Sequence, residues 1–213
     1  LLGTCDLPDN ARGVAVAGAI AYAANGLSGL QVIDVSDPNM PAVLGSHDTT
    51  GSARGIALAG DIAYVADGPQ GLQVFDISDP SAPMFLGSYN TTGTARGVAV
   101  SGDIAYVADD RYGLQMIDIS DPSVPVLCGT YDSGGYAQDV AVAGDVAYLA
   151  DATWGLQVID VSDPGAPALL GGYNTSGYSS GVAVAGDAAY LADGESGLQV
   201  IDISEPGAPT PLG

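Results

Sequence analysis

Three of the four basic residues in this chain share one position in a repeat of about 42 residues. Arg12, Arg54 and Arg96 occupy that position, and the fourth and fifth copies have Gln138 and Ser180 there instead. A second recurring position is acidic or amidic and comprises Asn25, Asp67, Asp109, Asp151 and Asp193. An arginine fork matches a carboxylate in geometry and charge, which favours structural pairs between the two positions. The alternative is a partial ring of positive charge that holds an anionic or sugar ligand.

The fourth and fifth copies leave acidic side chains near these positions without an arginine. Asp139, Asp151 and Asp193 are the residues concerned. Carboxylate oxygens are the ligands that Ca²⁺ prefers, but they must converge on the ion, and the spacing alone does not demonstrate convergence. The sequence therefore predicts no metal site and no cofactor, with Ca²⁺ as the alternative.

The acidic residues also bear on catalysis, because a glycoside hydrolase needs two carboxyl groups on either side of a cleft. Nearly every aspartate belongs to the repeat consensus, and Asp139 and Glu195 are the unusual acidic residues near its variable end. His47 is the only histidine, which excludes a histidine-based triad or a site with several histidine ligands. The chain is therefore predicted to be noncatalytic, with a glycoside hydrolase as the less favoured alternative.

Aromatic residues concentrate on the variable loops of copies three to five. Trp154 is the only tryptophan, and Arg111, Tyr112, Tyr136 and Tyr178 accompany it on these loops. Flat aromatic rings stack on sugars or anchor a protein partner, so these residues and the recurring arginines predict a recognition surface. The alternative is that Trp154 simply covers the edge of its own sheet.

Two short motifs match the acceptor pattern for N-glycosylation. Asn90 is followed by Thr91 and Thr92, and Asn174 by Thr175 and Ser176. The pattern indicates an exposed, secreted surface and makes Asn90 and Asn174 candidate glycosylation sites.

The elements that position all these residues follow from the repeat itself. Its clearest anchor, Gly-Leu-Gln followed by an apolar pair and Asp, begins at Gly29, Gly71, Gly113, Gly155 and Gly197. Each copy contains four short apolar runs separated by Gly-Asp, Asp-Gly or Ser-Asp-Pro turns, and nothing in it is typical of a helix. Four strands per copy is the pattern of a propeller blade. The sequence predicts an all-β fold: one five-bladed β-propeller domain over residues 1–213, with four antiparallel strands per blade.

The stretch Leu-Gln-Val-Ile-Asp-Val-Ser-Asp-Pro closely resembles the LVIVD repeat of bacterial and archaeal surface proteins. All five copies match, and Glu205 in the last copy replaces an aspartate without changing the charge. The resemblance implies a propeller and an extracellular or cell-surface location. It brings no catalytic residues that could be assigned to this chain.

The ends of the chain divide one strand between them, because Leu1 to Gly3 align with Pro211 to Gly213 in the outer strand of the repeat. We expect the segment from Gly3 to Leu7 to complete the fifth blade of its own chain and so close the ring. The alternative is strand donation to a neighbouring copy, which produces open filaments when the symmetry does not close.

The two cysteines align with the outer strand of different copies. With closure at the N-terminus, Cys5 lies on blade five and Cys128 on blade three, too far apart for the separation of about 7 Å that a disulfide tolerates between Cα atoms. No internal bridge is expected. Either both thiols are free or an intermolecular disulfide joins Cys5 of one copy to Cys128 of another.

The charge of the chain restricts its partners. There are 25 acidic residues against four basic ones, giving a net charge of −21. A field of this sign repels phosphate backbones and anionic membrane surfaces, so nucleic acid is excluded as a partner. The longest weakly polar stretch, residues 13–24, is too short for a membrane helix, so no membrane insertion is predicted.

These observations together predict a noncatalytic extracellular or cell-surface protein with a structural or interaction role. Its partner is a second copy, with assembly into a homo-oligomer by outer-strand exchange, or another surface protein. The alternative is a carbohydrate- or protein-binding module in which the variable loops bind a glycan or a protein.

Overall fold

Each copy of the repeat forms one antiparallel sheet of four strands in the computed structural model, which describes residues 2–212. We call the sheets blades 1 to 5 and their strands A to D in chain order. Blade 1 consists of β1 (Gly13–Ala17), β2 (Ile20–Ala24), β3 (Leu30–Asp34) and β4 (Ala42–His47). Blade 2 consists of β5 (Gly55–Ala59), β6 (Ile62–Ala66), β7 (Leu72–Asp76) and β8 (Met84–Tyr89). Blade 3 consists of β9 (Gly97–Ser101), β10 (Ile104–Ala108), β11 (Leu114–Asp118) and β12 (Val126–Tyr131).

Blades 4 and 5 repeat this order. Blade 4 consists of β13 (Asp139–Ala143), β14 (Val146–Ala150), β15 (Leu156–Asp160) and β16 (Ala168–Tyr173). Blade 5 consists of β17 (Gly181–Ala185), β18 (Ala188–Ala192), β19 (Leu198–Asp202) and the short β20 (Thr210–Pro211). Residues 2–212 otherwise include a 3₁₀ turn at Gly194–Ser196 and no helix that is long and apolar enough to cross a membrane. The prediction of an all-β chain with five four-stranded sheets is confirmed, and the sheets are consistent with a five-bladed propeller.

The turns follow directly from the residue types at the strand ends. Strands A and B are joined by two residues, of which the first is a glycine with positive φ, such as Gly60 and Gly102 at +56°. A β-branched or bulky residue would be strained there. After strand C, the carboxylate of Asp34 accepts a hydrogen bond of 2.8 Å from the backbone N–H of Ser36. The same turn follows Asp76, Asp118, Asp160 and Asp202, so each of these carboxylates caps the turn after its strand C.

The contacts divide the chain into two compact units. Unit 1 comprises Leu1–Ala95 and Asp121–Pro125, and unit 2 comprises Arg96–Ser120 and Val126–Gly213. All strands of blades 1 and 2 therefore lie in unit 1, and all strands of blades 3, 4 and 5 lie in unit 2.

The apolar core of each unit lies between successive blades. In unit 1, blade 1 contributes Tyr22, Ala24, Leu30 and Val32, a set that we call its forward face. Blade 2 contributes Ala63, Val65, Phe75 and Ile77 from its opposite side, the rear face. The equivalent contact in unit 2 joins Tyr148, Ala150, Leu156 and Val158 of blade 4 to Ala189, Leu191, Ile201 and Ile203 of blade 5. Blades are therefore stabilised by the next sheet, which explains why their strands are apolar on both sides.

Glycines in the outer strands allow each of these strands to approach the C–D turn of the next blade. A Cβ atom added to Gly129 would lie 2.0 Å from the carbonyl oxygen of Pro164, and one added to Gly171 would lie 2.6 Å from that of Gly207. A Cβ atom added to Gly3 would likewise lie 2.6 Å from the carbonyl oxygen of Asn39. The N-terminal segment therefore packs against blade 1 in the way that each outer strand packs against the next blade. Within this segment, Cys5 and Leu7 contact the core of blade 1.

The structure does not show the ring closure expected from the sequence. Within residues 2–212, β19 pairs with β18 along its whole length, and with β20 at Ile201 and Asp202. The backbone N–H of Leu212 also donates to the carbonyl oxygen of Val200, at 2.8 Å. Closure through Gly3 to Leu7 stays a prediction.

The glycine contacts make a first testable prediction. Gly129→Ala should lower the free energy of unfolding by about 1–3 kcal/mol, because the added methyl group overlaps the backbone of the next C–D turn. Gly207→Ala is the matched control, since its Cβ would lie 3.7 Å from the nearest atom, an ordinary contact. Chemical denaturation followed by circular dichroism measures both. Equal stability of the two variants would contradict the packing described here.

Candidate functional site

The B–C turn of one blade and the loop before strand A of the next blade meet at one end of the blades. Isolated bridges join the B–C turn of one blade to the loop before the next strand A, as between Gly26 and Ala53 in unit 1 and between Ala152 and Ser179 in unit 2. The loop residues with candidate functions therefore lie at the same end of their blades.

The recurring aspartates at the ends of the B strands are buried and hold these loops. Asp67 accepts hydrogen bonds from the Thr49 hydroxyl at 2.6 Å and from the backbone N–H of Gly51 at 3.0 Å. Asp193 accepts equivalent bonds from Thr175 at 2.6 Å and from Gly177 at 3.1 Å. These carboxylates fasten the loop after one blade to strand B of the next, and this accounts for their recurrence without a ligand.

The arginines are not brought together by the described contacts. Arg96 donates from Nε to Asp110, the residue after the recurring aspartate, at 3.1 Å. Arg111 is exposed in the same unit, whereas the exposed Arg12 and the half-buried Arg54 lie in unit 1. The expected pairing is therefore found for Arg96 with a shift of one residue, and the cationic ring stays a prediction.

Asp139 departs from the glycine found at its position in the other copies, Gly13, Gly55, Gly97 and Gly181. Its Oδ2 accepts a hydrogen bond of 3.1 Å from the backbone N–H of Val182, and a Cβ on Gly97 would lie 2.5 Å from its Oδ1. The carboxylate thus fills space that the glycines of the neighbouring A strands leave open. Burial raises the pKa of Asp139 to about 6.

Acidic residues in the described part of the chain do not assemble into a metal site. No group of three or more His, Cys, Asp or Glu side chains in residues 2–212 is placed to hold an ion. Asp151, named in the sequence as a Ca²⁺ alternative, instead accepts hydrogen bonds from protein groups, and burial raises its pKa to about 6. Glu195 lies exposed in the 3₁₀ turn of blade 5.

The four aromatic residues of the variable loops are all exposed and all in unit 2. Tyr112, Tyr136, Trp154 and Tyr178 have exposed fractions between 43% and 50%. Trp154 lines a cavity of about 320 Å³ whose walls include Leu156 and Leu169 of its own blade. Trp154 therefore lies beside an open space, and both its recognition role and its role as a cover for the blade edge stay predictions.

A glutamine of strand C changes its partner in the blades that carry an aromatic loop. In blades 1, 2 and 5 its amide donates to the carbonyl oxygen three residues earlier, at 2.8–3.0 Å, where the residue is Ser28, Gln70 or Ser196. In blades 3 and 4 that residue is Tyr112 or Trp154, and Gln115 and Gln157 donate to the buried Asp109 and Asp151. The aromatic residue thus coincides with a rearranged polar network beneath it.

In blade 4 this network extends to the cavity. The Tyr131 hydroxyl donates to Oε1 of Gln157 at 2.9 Å, and Nε2 of Gln157 donates to the Ser133 carbonyl oxygen at 2.9 Å and to Asp151 at 2.5 Å. The sequence analysis did not identify Tyr131 and Gln157, because both belong to the repeat consensus. It also missed Gly172, which lines the cavity and stands where other copies have Ser46, Ser88 and Thr130. That departure was visible in the aligned copies.

The remaining candidate residues lie at the surface or in the outer strands. Asn90 and Asn174 are exposed, and Asn174 lies at the cavity. Cys5 and Cys128 are free and half-buried. The Cys128 thiol donates to the carbonyl oxygen of Met116 at 3.1 Å, and burial raises its pKa. A raised thiol pKa reduces the thiolate fraction that forms disulfides, which disfavours Cys128 as a bridge partner.

Five four-stranded antiparallel sheets with one sequence repeat per sheet define a β-propeller repeat protein. The LVIVD repeat model matches residues 8–49, 50–91, 92–133, 134–175 and 176–213. The chain belongs to the LVIVD repeat family, as its sequence indicated.

Several solved structures share the fold at low sequence identity. A functionally unknown protein from Desulfotomaculum acetoxidans DSM 771 has a TM-score of 0.83 and 16% identity, over 98% of this chain and 71% of that one. The computationally designed protein Ika8 has a TM-score of 0.74 and 12% identity, over 93% of this chain and 60% of its own. A chain of the nidogen/laminin complex has a TM-score of 0.72 and 16% identity, over 95% and 78%. This chain thus spans less than two thirds of the Ika8 chain. A comparison with curated protein sequences gives no match.

The buried carboxyl of Asp139 predicts a specific pH dependence. Its pKa in the folded chain, about 6, exceeds the usual 3.8, so the folded state binds the proton more tightly between these values. Stability should fall as the pH rises from about 4 to above 6, and Asp139→Asn should reduce this loss but not abolish it, because the buried Asp151 titrates in the same range. The variant should be more stable than the wild type by about 3 kcal/mol at pH 7.5, a difference that disappears near pH 4.

Denaturant titrations across this pH range test the prediction. Asp103→Asn, which removes an exposed carboxylate in a turn of blade 3, is the matched control and should follow the wild-type profile. An Asp139→Asn variant with the same pH profile as the wild type would show that burial does not raise the pKa of this carboxyl group.

Proposed function

We propose that this chain is a noncatalytic structural or interaction protein that associates end to end with further copies through its fifth blade. The observation that carries the proposal concerns the forward face of blade 5, which comprises Tyr190, Ala192, Leu198 and Val200. The first three of these residues are exposed, and Val200 is half-buried. Leu198 is 65% exposed, whereas Leu30, Leu72, Leu114 and Leu156 at the same position are fully buried. Covering a leucine contributes about 1.5–3 kcal/mol, so this face gains from a partner.

A second copy of the chain offers the surface that fits this face. The rear face of blade 1 exposes Val14 and Val16, at 66% and 62%. The residue equivalent to Val14 is buried in blades 3 and 4, as Val98 at 7% and Val140 at 5%. The forward face of blade 5 and the strand A part of the rear face of blade 1 therefore expose the residue types that pack together in the core between blades.

The strand edges support the same partner. Within residues 2–212, Leu198 and Gln199 lack the outer-strand partner that Leu156 and Gln157 have in β16. The segment from Gly3 to Leu7 continues the outer-strand sequence and would supply it from another copy, which is outer-strand exchange. A contact between two different faces is not self-limiting, so it extends to filaments or rings according to its rotation.

The noncatalytic and extracellular parts of the proposal have separate support. The recurring aspartates are occupied in turns and loop attachments, and Asp139 is packed against backbone, so few carboxylates are free for chemistry. The exposed sequons at Asn90 and Asn174 and the net charge of −21 suit a secreted or cell-surface protein. The acidity also opposes association at low ionic strength, because like charges repel over about 10 Å at 0.1 M salt.

A second candidate function is a binding module for a glycan or a protein. The observation that favours it is the group of exposed aromatic residues in unit 2, Tyr112, Tyr136, Trp154 and Tyr178. Exposed aromatic side chains on variable loops are the residues that most often anchor a ligand. The two functions use different surfaces and are compatible in one molecule.

Self-association makes a direct prediction. The wild-type chain should form oligomers whose mass grows with protein concentration and with added salt, as measured by light scattering after gel filtration. Leu198→Asp should shift the association constant at least about tenfold toward monomer, because it places a charge in an apolar contact. Met84→Asp is the control: it introduces the same charge at an exposed outer-strand residue of blade 2 and should associate like the wild type.

Electron microscopy of the same samples would distinguish filaments from closed rings. A wild-type chain that stays monomeric at high concentration and high salt would refute the proposal. A Leu198→Asp variant that associates as strongly as Met84→Asp would refute the assignment to the fifth blade.

A further inference from the structure

We propose that the cavity beside Trp154 is a binding site for one neutral pyranose ring of a glycan, an inference that rests on the second candidate function. The cavity has a volume of about 320 Å³, within the range of small-molecule sites. It lies entirely in unit 2, between the outer strand of blade 3 and the loops and outer strand of blade 4.

One wall of the cavity is an aromatic platform. Trp154 is half-exposed, and Leu156 and Leu169 line the space with it. An indole presents an electron-rich face, on which the C–H groups of a sugar ring stack favourably. The cavity also has room for the ring, because Gly171 and Gly172 line it and have no side chains.

The polar wall is positioned before any ligand arrives. Both N–H groups of the Gln157 amide are used, by the Ser133 carbonyl oxygen and by Asp151, and its Oε1 accepts from the Tyr131 hydroxyl. The free hydrogen-bonding capacity of this pair is therefore a lone pair on Tyr131 and one on Gln157, and both accept. A ligand that satisfies them must donate hydrogen bonds. Sugar hydroxyls do so, whereas the apolar side chain of a protein partner does not.

The charge of the chain selects among sugars. Asp151 lies directly behind Gln157, and the net charge of the chain is −21. Uronic or sialic acids would bring a further carboxylate into this field at an electrostatic cost. A neutral pyranose avoids that cost, and Asn174 at the rim adds an amide that both donates and accepts.

The equivalent place in unit 1 lacks these features. A cavity of about 280 Å³ lies between His47, Gln73, Phe75 and Phe85. There Gln73 donates to the carbonyl oxygen of Gln70, and the loop carries no aromatic residue. The combination of Trp154, the turned Gln157 and Gly172 thus distinguishes copy four, which argues for a site rather than a by-product of the repeat.

The experiment uses the only tryptophan as its own reporter. The full chain, produced without glycosylation, is titrated with the methyl glycosides of glucose, galactose, mannose and N-acetylglucosamine, and with glucuronic acid as the charged comparison. At least one neutral glycoside should produce a saturable change in Trp154 fluorescence, and glucuronic acid should bind more weakly. Calorimetry of the same ligand gives affinities for variants without the tryptophan.

The variants separate this site from other surfaces. Trp154→Ala should abolish the binding, and Tyr131→Phe should weaken it by about tenfold, the effect of one polar group. Tyr112→Ala, which removes an equivalent loop aromatic of blade 3, should bind like the wild type, and circular dichroism checks that all variants fold. No saturable response to any neutral glycoside, or unchanged affinity in Trp154→Ala, would overturn the inference.

The second candidate function can survive that result. A glycan-array or peptide-array screen with the wild type and with Trp154→Ala reads it separately. Binding that both proteins retain would leave the module intact and refute this site. An absence of binding in both would refute the module as well.

Discussion

The packing of one sheet's tyrosine and leucine against the next sheet's isoleucine and valine is the interaction on which the rest of this structure depends. A single blade has apolar side chains on both faces and cannot bury either of them alone. The outer-strand glycines permit the close approach, and the buried aspartates hold the loop that leads from one blade to the next. Most of the residues that recur in every copy therefore serve this contact between blades.

The sequence was sufficient for the features that lie within one repeat. Strand number and turn positions follow from local residue types and were confirmed, and the structure adds the capping role of Asp34. Features that depend on contacts with a neighbouring blade could not be predicted from a single repeat. Tyr190 has the same sequence surroundings as Tyr148, yet it is exposed because its burial depends on the following blade. The expected partner of the Asp67 carboxylate was an arginine, and the hydroxyl of Thr49 in the preceding loop was not foreseen as a donor to it.

The candidate site shows the same division. The loop aromatics were predicted because they depart from the repeat, and the structure places them on the surface. Gln157 could not be singled out because the glutamine is identical in every copy, and only its hydrogen-bond partners differ. Copy four combines Asp139, Trp154 and Gly172, three residues that no other copy has at these positions. One of these departures, Asp139, itself contacts the A strands of both neighbouring blades, whereas Trp154 and Gly172 line the cavity.

The exposed forward face of blade 5 has a consequence for how such a chain evolves. Its residue types are those that blade 4 packs against blade 5, so the same side chains serve both folding and any contact made at the fifth blade. A substitution that occurs in every copy and improves packing between blades also makes the forward face of blade 5 more adhesive. Solubility and stability then depend in opposite ways on the same residues. An acidic surface limits association between copies without weakening the packing of the core.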